Sequence, residues 1–263
     1  MMGKNKHGIC TSSETSTKQQ HLCGLFDFLM PTAKKNMDTW KGYDRNYLIC
    51  DLNAGRSKYI DEDTGEEITG SAVLGIERAK SHGLNYNAFL CELLEDNAED
   101  LRCKFAGDKN VVVLQGDNRI ELPRVMIRQD SPKRFGYVYA DPNDAQLPIV
   151  LLADLYSRKS FERVDLIVNV AAASIKRMIH SENYNDISLD SLLNRIHKKT
   201  WLVREPHNKQ QWSLLVGTNW AGAPEWKNAG FYRMDTDKGM KIWKCLSKTE
   251  KQRMEELQPS FSL

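Results

Sequence analysis

The chain has 263 residues, enough for one large domain or two small ones. Its 41% hydrophobic and 27% charged residues are typical of an ordinary soluble globular protein. Its 37 basic and 35 acidic residues leave a formal charge of +2, which excludes a protein whose overall charge attracts nucleic acid, so any such surface must be a local patch.

The six cysteines and six histidines form no CxxC pair and no cluster at metal-ligand spacing. We therefore expect reduced, structural cysteines and no metal site. No apolar run is long enough to cross a bilayer, and the N-terminus lacks the apolar segment of a signal peptide. The sequence predicts a cytoplasmic protein with no membrane partner.

The chain begins with a polar segment, residues 1–18, whose Ser, Thr and Lys content predicts a disordered tail. Residues 19–263 predict a single α/β domain, because no clear linker follows its first helical segment. That segment, residues 19–30, carries apolar side chains at helical spacing and should end at Pro31. A polar linker over residues 34–45 then leads to the first strand.

From residue 47 onward, short apolar runs alternate with amphipathic segments. The runs that predict strands are 47–51, 86–91, 110–114, 135–140 and 165–170. The first segment that predicts a helix begins at Ser71, which we take as its N-cap. Further segments that predict helices are 94–105, 147–155, 171–179 and 189–196. This alternation favours a mostly parallel sheet with helices on both faces. Residues 58–69 predict an acidic loop, and 212–216 with 231–234 predict a C-terminal antiparallel hairpin.

The first strand runs into a turn, with Asp51, Asn53 and Gly55 at its carboxyl end. Ligands of open α/β sheets bind at the carboxyl ends of strands, and a glycine lets the backbone approach them closely. The same residues also fit a strand followed by an ordinary turn, so the later strands decide between the two.

Four consecutive strands end in an acid, and these acids are Asp51, Glu92, Asp117 and Asp141. A carboxylate after the second strand can accept both hydroxyls of a ribose. An acid beside an amide, as in Asp117 with Asn118, can bond the exocyclic amine of adenine. A single strand-end acid is more often a turn residue or an N-cap, but four at equivalent places predict a nucleoside site.

Six segments carry a resemblance to a known family: DLNAG, GSAVLGIE, FLCELLEDN, VVLQGD, YADPND and DLIVNVAAASIKR. Together they resemble class I S-adenosylmethionine-dependent methyltransferases. More narrowly, they are similar to the three-Cys-motif partner proteins, a methyltransferase-like group found with mobile elements and phage. The resemblance implies a Rossmann-like class I methyltransferase fold with S-adenosyl-L-methionine as cofactor.

The cofactor-binding residues that the resemblance implies are Asp51, Asn53 and Gly55 for the methionine part, Glu92 for the ribose, and Asp117 with Asn118 for the adenine. The sequence departs from the family pattern in this turn. Asn53 stands where an aromatic residue is usual, and Arg56-Ser57 stands where Pro-Gly is expected, so a Cβ narrows the turn.

Asp141, Pro142 and Asn143 resemble the Asp-Pro-Pro-aromatic signature of methyltransferases that modify exocyclic amines, chiefly adenine N6. The resemblance implies that Asp141 accepts the amine hydrogens and that Pro142 supplies a fixed backbone. The second proline and the aromatic residue are missing. The segment also fits a proline turn before a helix, with Asp144 as the N-cap.

Basic and aromatic side chains are interleaved at Lys198, Lys199, Trp201 and Arg204. Basic groups neutralise phosphates and aromatic rings stack on bases, so these residues predict a local nucleic-acid surface. The pattern also fits a buried Trp201 beside a solvated basic loop.

These observations predict a methyltransferase that acts on an exocyclic amine of a nucleic-acid base, with adenine N6 in DNA favoured. The predicted partner is nucleic acid, DNA first, beside a protein partner that the family suggests. One alternative is a catalytically altered binding or regulatory protein of a phage or mobile-element system. Another is an enzyme that uses the same fold for different chemistry.

Overall fold

A computed structural model describes residues 13–61, 64–128, 133–142, 147–171, 193–206 and 212–247. The chain divides into two compact units, Met1–Val138 and Tyr139–Leu263, called here the first and second units. The single domain predicted over residues 19–263 stays a prediction. None of the described helices has the length and apolarity needed to span a bilayer.

The first unit alternates helices and strands. Its described helices are α1 (Ser13–Thr39), α2 (Ser71–Ser81), α3 (Glu95–Lys104) and α4 (Asn118–Arg128). Its described strands are β1 (Tyr47–Asp51), β2 (Lys58–Ile60), β3 (Glu67–Thr69), β4 (Tyr86–Glu92) and β5 (Val111–Gln115), and β6 (Phe135–Ala140) spans the division between the units. Strands β2 and β3 form a separate antiparallel hairpin, where the sequence predicted a loop.

The order of the main-sheet strands in the first unit is β6-β1-β4-β5, and β1, β4 and β5 run parallel. The winding reverses at β1, because β4 and β5 lie on one side of it and β6 on the other. Ligands of doubly wound sheets bind outside the carboxyl ends of the strands at such a reversal. Every residue of β1 and β6 is buried, as expected for parallel strands covered on both faces.

The second unit is antiparallel in its C-terminal part. Its described elements are α5 (Ile149–Ser157), β7 (Arg163–Ala171), β8 (Thr200–Arg204), β9 (Trp212–Thr218), β10 (Phe231–Arg233) and α6 (Asp237–Ser247). The strand order is β10-β8-β9-β7-β6, with β9 antiparallel to β7 and β8, and β10 antiparallel to β8. The predicted Rossmann-like α/β class with a C-terminal antiparallel region is confirmed.

The partners within that antiparallel region differ from the prediction. Residues 212–216 and 231–234 were expected to pair with each other, but each pairs with β8 instead. The connection from β8 to β9 is shorter than the one from β9 to β10, and short connections favour pairing of consecutive strands.

Helix α1 continues past the proline at which the sequence predicts its end. Pro31 lies inside it, so the predicted linker over 34–45 begins as helix, and residues 13–18 of the predicted tail belong to the same helix. A proline removes one helical hydrogen bond. Burial of Ala33 and Met37 beyond Pro31 offsets that loss, so tertiary packing overrides the local signal.

Two further helices, α4 and α6, are absent from the sequence-based prediction. Helix α4 contains Pro123, which hides its periodicity, whereas α6 has a visible helical pattern, with Ile242, Trp243 and Leu246 buried, that the sequence reasoning overlooked. The helices predicted at 171–179 and 189–196 lie outside the described residues except at their ends.

Replacement of Gly136 by alanine tests the close approach of β6 to β1. A Cβ at Gly136 would collide with the Leu48 carbonyl oxygen and lie 2.8 Å from the Leu48 Cα, and both atoms are backbone. We expect Gly136→Ala to lower the free energy of unfolding by about 1–3 kcal/mol, measured by urea denaturation. Gly222→Ala is the control, because its Cβ would meet only the Trp220 Nε1 at 3.6 Å. Equal stability of the two variants would contradict this account.

Candidate functional site

Two of the predicted acids lie at the same edge of the first unit. Asp51 ends β1 and is 1% exposed, and Glu92 ends β4 and is 8% exposed. In the parallel register of β1 and β4, Asp51 lies opposite Leu90, two residues before Glu92. The structure therefore brings these two carboxylates to the edge where α/β sheets bind ligands.

The turn that follows β1, loop 53–57 (Asn53–Ser57), has all five of its backbone N–H groups bonded within the chain. The acceptors are Asp51 Oδ1 for Asn53 (3.0 Å), the Cys91 carbonyl for Ala54 (2.9 Å), Glu92 Oε2 for Gly55 (2.8 Å), the Tyr59 hydroxyl for Arg56 (2.8 Å) and Asp100 Oδ2 for Ser57 (2.6 Å). A phosphate-binding turn instead presents its N–H groups to the ligand. Loop 53–57 therefore does not present its N–H groups to a phosphate.

Gly55 makes the conformation of this loop accessible. Its φ is +64°, in the left-handed region that favours glycine. An added Cβ would collide with the Tyr59 hydroxyl, the same group that accepts the Arg56 N–H. The absence of a second glycine at Arg56-Ser57 is thus compatible with a fully hydrogen-bonded turn.

Asp51 also anchors the start of α2. The Ser71 hydroxyl donates to Asp51 Oδ2 at 2.7 Å. The residue at the N-cap position is Gly70, which makes no side-chain cap, so the predicted capping role of Ser71 is wrong. The hydroxyl bonds a buried carboxylate because an unpaired carboxylate there would cost far more than an uncapped N–H group.

The electrostatic field at this edge is negative. Burial raises the pKa of the Cys91 thiol to about 12, and the charges of Asp51, Glu121 and Glu92 add to the increase. The thiol is therefore neutral and is no nucleophile. A field that opposes an additional negative charge favours a cationic ligand. The described residues include no group of three His, Cys, Asp or Glu side chains placed to hold a metal.

Asp117 and Asn118 follow β5 and bond within the chain. The Asp117 carboxylate accepts hydrogen bonds from the Arg119 backbone and guanidinium, and these bonds lower its pKa. The Asn118 side chain donates from Nδ2 to the Leu52 carbonyl at 3.1 Å. Asn118 is thus tied to the end of β1, whereas the Asp117 carboxylate is saturated by Arg119.

Two exposed apolar residues accompany the strand-end acids and were missed by the sequence reasoning. Leu93, directly after Glu92, is 65% exposed, and Ile120, in the first turn of α4, is 62% exposed. Exposed apolar side chains close in sequence to strand-end acids are suited to the flat face of a base. The sequence signal that could have identified Leu93 was its position directly after the strand-end acid Glu92.

In the second unit, Asp141 lies in a small hydrogen-bonded array. Its Oδ1 accepts from Asn169 Nδ2 at 2.6 Å, and its Oδ2 accepts from the Tyr139 hydroxyl at 3.1 Å. Pro142 is buried, and Asn143 lies outside the described residues. Sequence reasoning missed Asn169, although a polar residue inside the apolar run DLIVNV was a visible signal.

The four basic and aromatic candidates do not form one surface. Lys198 donates from Nζ to the Val164 carbonyl at 2.6 Å, and burial lowers its pKa, with Asp165 opposing part of the shift. Trp201 and Arg204 lie three residues apart on β8, so their side chains point to opposite faces of the sheet. Arg204 is buried, and Lys199 is exposed. Their role in nucleic-acid binding stays a prediction.

No protein-family model matches this chain, and no curated protein is similar to it in sequence. Among solved structures, protein LPL1258 from Legionella pneumophila has 15% sequence identity, and the similarity covers 80% of this chain and 86% of that one with a TM-score of 0.54. The likeness shows a common fold.

Two further similar structures are named as methyltransferases. YhhF from Escherichia coli has 15% identity, coverage of 76% and 86%, and a TM-score of 0.42. The plantazolicin methyltransferase BamL, solved with S-adenosylhomocysteine and a desmethyl-plantazolicin analogue, has 10% identity, coverage of 78% and 87%, and a TM-score of 0.45. These scores are too low to support an argument. The narrower resemblance to three-Cys-motif partner proteins stays a prediction.

Replacement of Asp100 by alanine tests whether side-chain acceptors hold loop 53–57. The change removes the acceptor of the Ser57 N–H, and we expect that amide to exchange with solvent about tenfold faster, measured by hydrogen exchange with NMR detection. Asp96→Ala removes the same charge from an exposed position of the same helix and should leave Ser57 exchange unchanged. Equal exchange rates in the two variants would show that Asp100 does not hold the loop.

Proposed function

We propose that this chain is an S-adenosyl-L-methionine-dependent methyltransferase that acts on an exocyclic amine of a nucleic-acid base, with adenine N6 in DNA as the favoured substrate. The observation that carries the proposal is the hydrogen bonding of loop 53–57. Three of its five N–H groups are bonded by carboxylates, those of Asp51, Glu92 and Asp100. This loop lies at the reversal point of a doubly wound sheet.

The charge of the site distinguishes between nucleoside cofactors. Dinucleotides carry a pyrophosphate that binds free N–H groups of the first turn and the helix that follows it. In this chain the five N–H groups of loop 53–57 already have acceptors, and the nearby carboxylates repel phosphate. S-adenosyl-L-methionine has no phosphate, and its cationic sulfonium and amino groups outweigh its one carboxylate. Its net positive charge suits the carboxylate acceptors present.

The residues proposed to hold the cofactor follow the strand ends. Glu92 Oε1 accepts from the Leu94 N–H and from Asn97 Nδ2, whereas Oε2 accepts from the Gly55 N–H. A ribose hydroxyl would bond chiefly to Oε2. Asp51, Asn53 and Gly55 would hold the methionine part. Since Arg119 saturates the Asp117 carboxylate, we assign the adenine chiefly to the three residues Asn118, Leu93 and Ile120.

The amine-directed step is assigned to Asp141. When bound, the cofactor supplies an electrophilic methyl group on sulfur. The Asp141 carboxylate would accept amine hydrogens and so direct the nitrogen lone pair toward the methyl carbon. Methyl transfer would turn the sulfonium into a neutral thioether, and the nitrogen would release one proton, which Asp141 or water would accept. Buried Pro142 supports a fixed backbone beside the carboxylate.

Glu92→Gln tests the cofactor site. The variant loses the charge that is proposed to accept the ribose hydroxyls, so we expect S-adenosyl-L-methionine to bind about 10- to 100-fold more weakly in isothermal titration calorimetry. Glu95→Gln removes a charge from the exposed start of α3 and should bind as the wild type does. Absence of binding to the wild-type chain, or tighter binding of NAD, would overturn the assigned cofactor.

Asp141→Ala tests the transfer step. We expect incorporation of labelled methyl groups into adenine-containing DNA oligonucleotides to fall about 100- to 1000-fold, while the affinity for S-adenosyl-L-methionine stays within about twofold. Oligonucleotides with purine in place of adenine, and RNA of the same sequence, serve as controls for the amine and the sugar. Cofactor binding without transfer to any of these nucleic acids would contradict the proposed enzyme.

A further inference from the structure

Strand β7 carries one asparagine in an otherwise apolar stretch. Val168 and Val170, on either side of Asn169, are buried. Asn169 pairs in register with Leu214 of the antiparallel neighbour β9. Its side chain donates from Nδ2 to Asp141 Oδ1 at 2.6 Å, a distance typical of a strong hydrogen bond to a charged acceptor.

Asn169 is an unfavourable choice for the stability of this strand. Its Oδ1 is buried and accepts no hydrogen bond from any described residue. A buried acceptor without a partner costs free energy, and asparagine is also a poor strand former. A valine at this position would avoid both losses but would also remove the hydrogen bond to Asp141. What Asn169 contributes is therefore its bond to that carboxylate, not the stability of the strand.

Both oxygens of the Asp141 carboxylate accept a hydrogen bond from a described side chain. Asn169 bonds Oδ1 from β7, and the Tyr139 hydroxyl bonds Oδ2 from β6, two residues before Asp141. Tyr139 is fully buried. Donors on different oxygens fix the plane of a carboxylate.

We infer that Asn169 is a positioning residue that holds the Asp141 carboxylate, together with Tyr139, in the orientation that receives the substrate amine. The inference rests on the proposed function and extends it to a residue without a place in the Asp-Pro-Pro-aromatic signature. Reacting groups that are slightly misplaced lose much of their rate, so a carboxylate free to rotate is a poor acceptor for a directed amine.

Asn169→Val removes the donor together with the unpaired acceptor. We expect kcat for methyl transfer to fall about 10- to 100-fold, while the KM for S-adenosyl-L-methionine changes by less than about twofold. The melting temperature should change little, because removal of the buried unpaired oxygen and the better strand former offset the lost hydrogen bond to Asp141. A structural asparagine would instead lose stability and activity together. Asn87→Val, the same change at a half-buried position of β4, is the matched control and should keep the wild-type kcat.

The coupling with Tyr139 provides the second measurement. If both donors hold one carboxylate, Asn169→Val and Tyr139→Phe combined should lose less activity than the product of the two single losses, by about threefold or more. A simple product would show independent effects and overturn the inference, as would an unchanged kcat in Asn169→Val. These outcomes require an active wild-type enzyme, so a wild type that transfers no methyl would overturn the proposed function, and the inference with it.

Discussion

Residues 53–57 are buried or half-buried, and each of their five backbone N–H groups needs an acceptor. This requirement shapes the first unit around β1. Backbone donors removed from water must be paired, and a tight turn cannot pair its own. Loop 53–57 takes its acceptors from β4, from α3 and from Tyr59 in the small hairpin, besides Asp51 itself. Elements far apart in sequence are thereby fixed to one turn. The strand order brings the carboxyl ends of β1 and β4 to one edge, and these hydrogen bonds fix the conformation of loop 53–57 at that edge.

The same requirement gives the edge its charge. Carboxylates are strong acceptors for backbone N–H groups, so satisfying the turn concentrates negative charge at the carboxyl ends of β1 and β4. The raised pKa of Cys91 reports that field, with burial as its larger cause. Acceptors held in place before a ligand arrives need little rearrangement to bind it. In the proposed function, folding and recognition of the cationic cofactor would thus depend on the same side chains, Asp51 and Glu92 above all.

Sequence reasoning succeeded where the signal was local. An acid directly after an apolar run is visible in Asp51, Glu92 and Asp141, and β6 was predicted with its observed bounds. It failed where partners are distant, since nothing near Ser57 announces Asp100, 43 positions away, and nothing near Asp141 announces Asn169, 28 positions away. Tertiary packing also overrode local rules, as at Pro31, where burial carries the helix through a proline.

The positions at which this chain breaks a local rule are of two kinds. Pro31 and Lys198 have structural compensation. Burial of Met30 and Ala33 offsets the effect of Pro31 on α1. Lys198 bonds a carbonyl, and its Nζ lies 3.8 Å from the centre of the Tyr156 ring. Asn169 has a partner for its donor and none among the described residues for its acceptor. Natural sequences violate local preferences chiefly where function demands it. A violation that packing leaves uncompensated is therefore better evidence of function than one that packing explains, which makes β7 informative about the chemistry at Asp141.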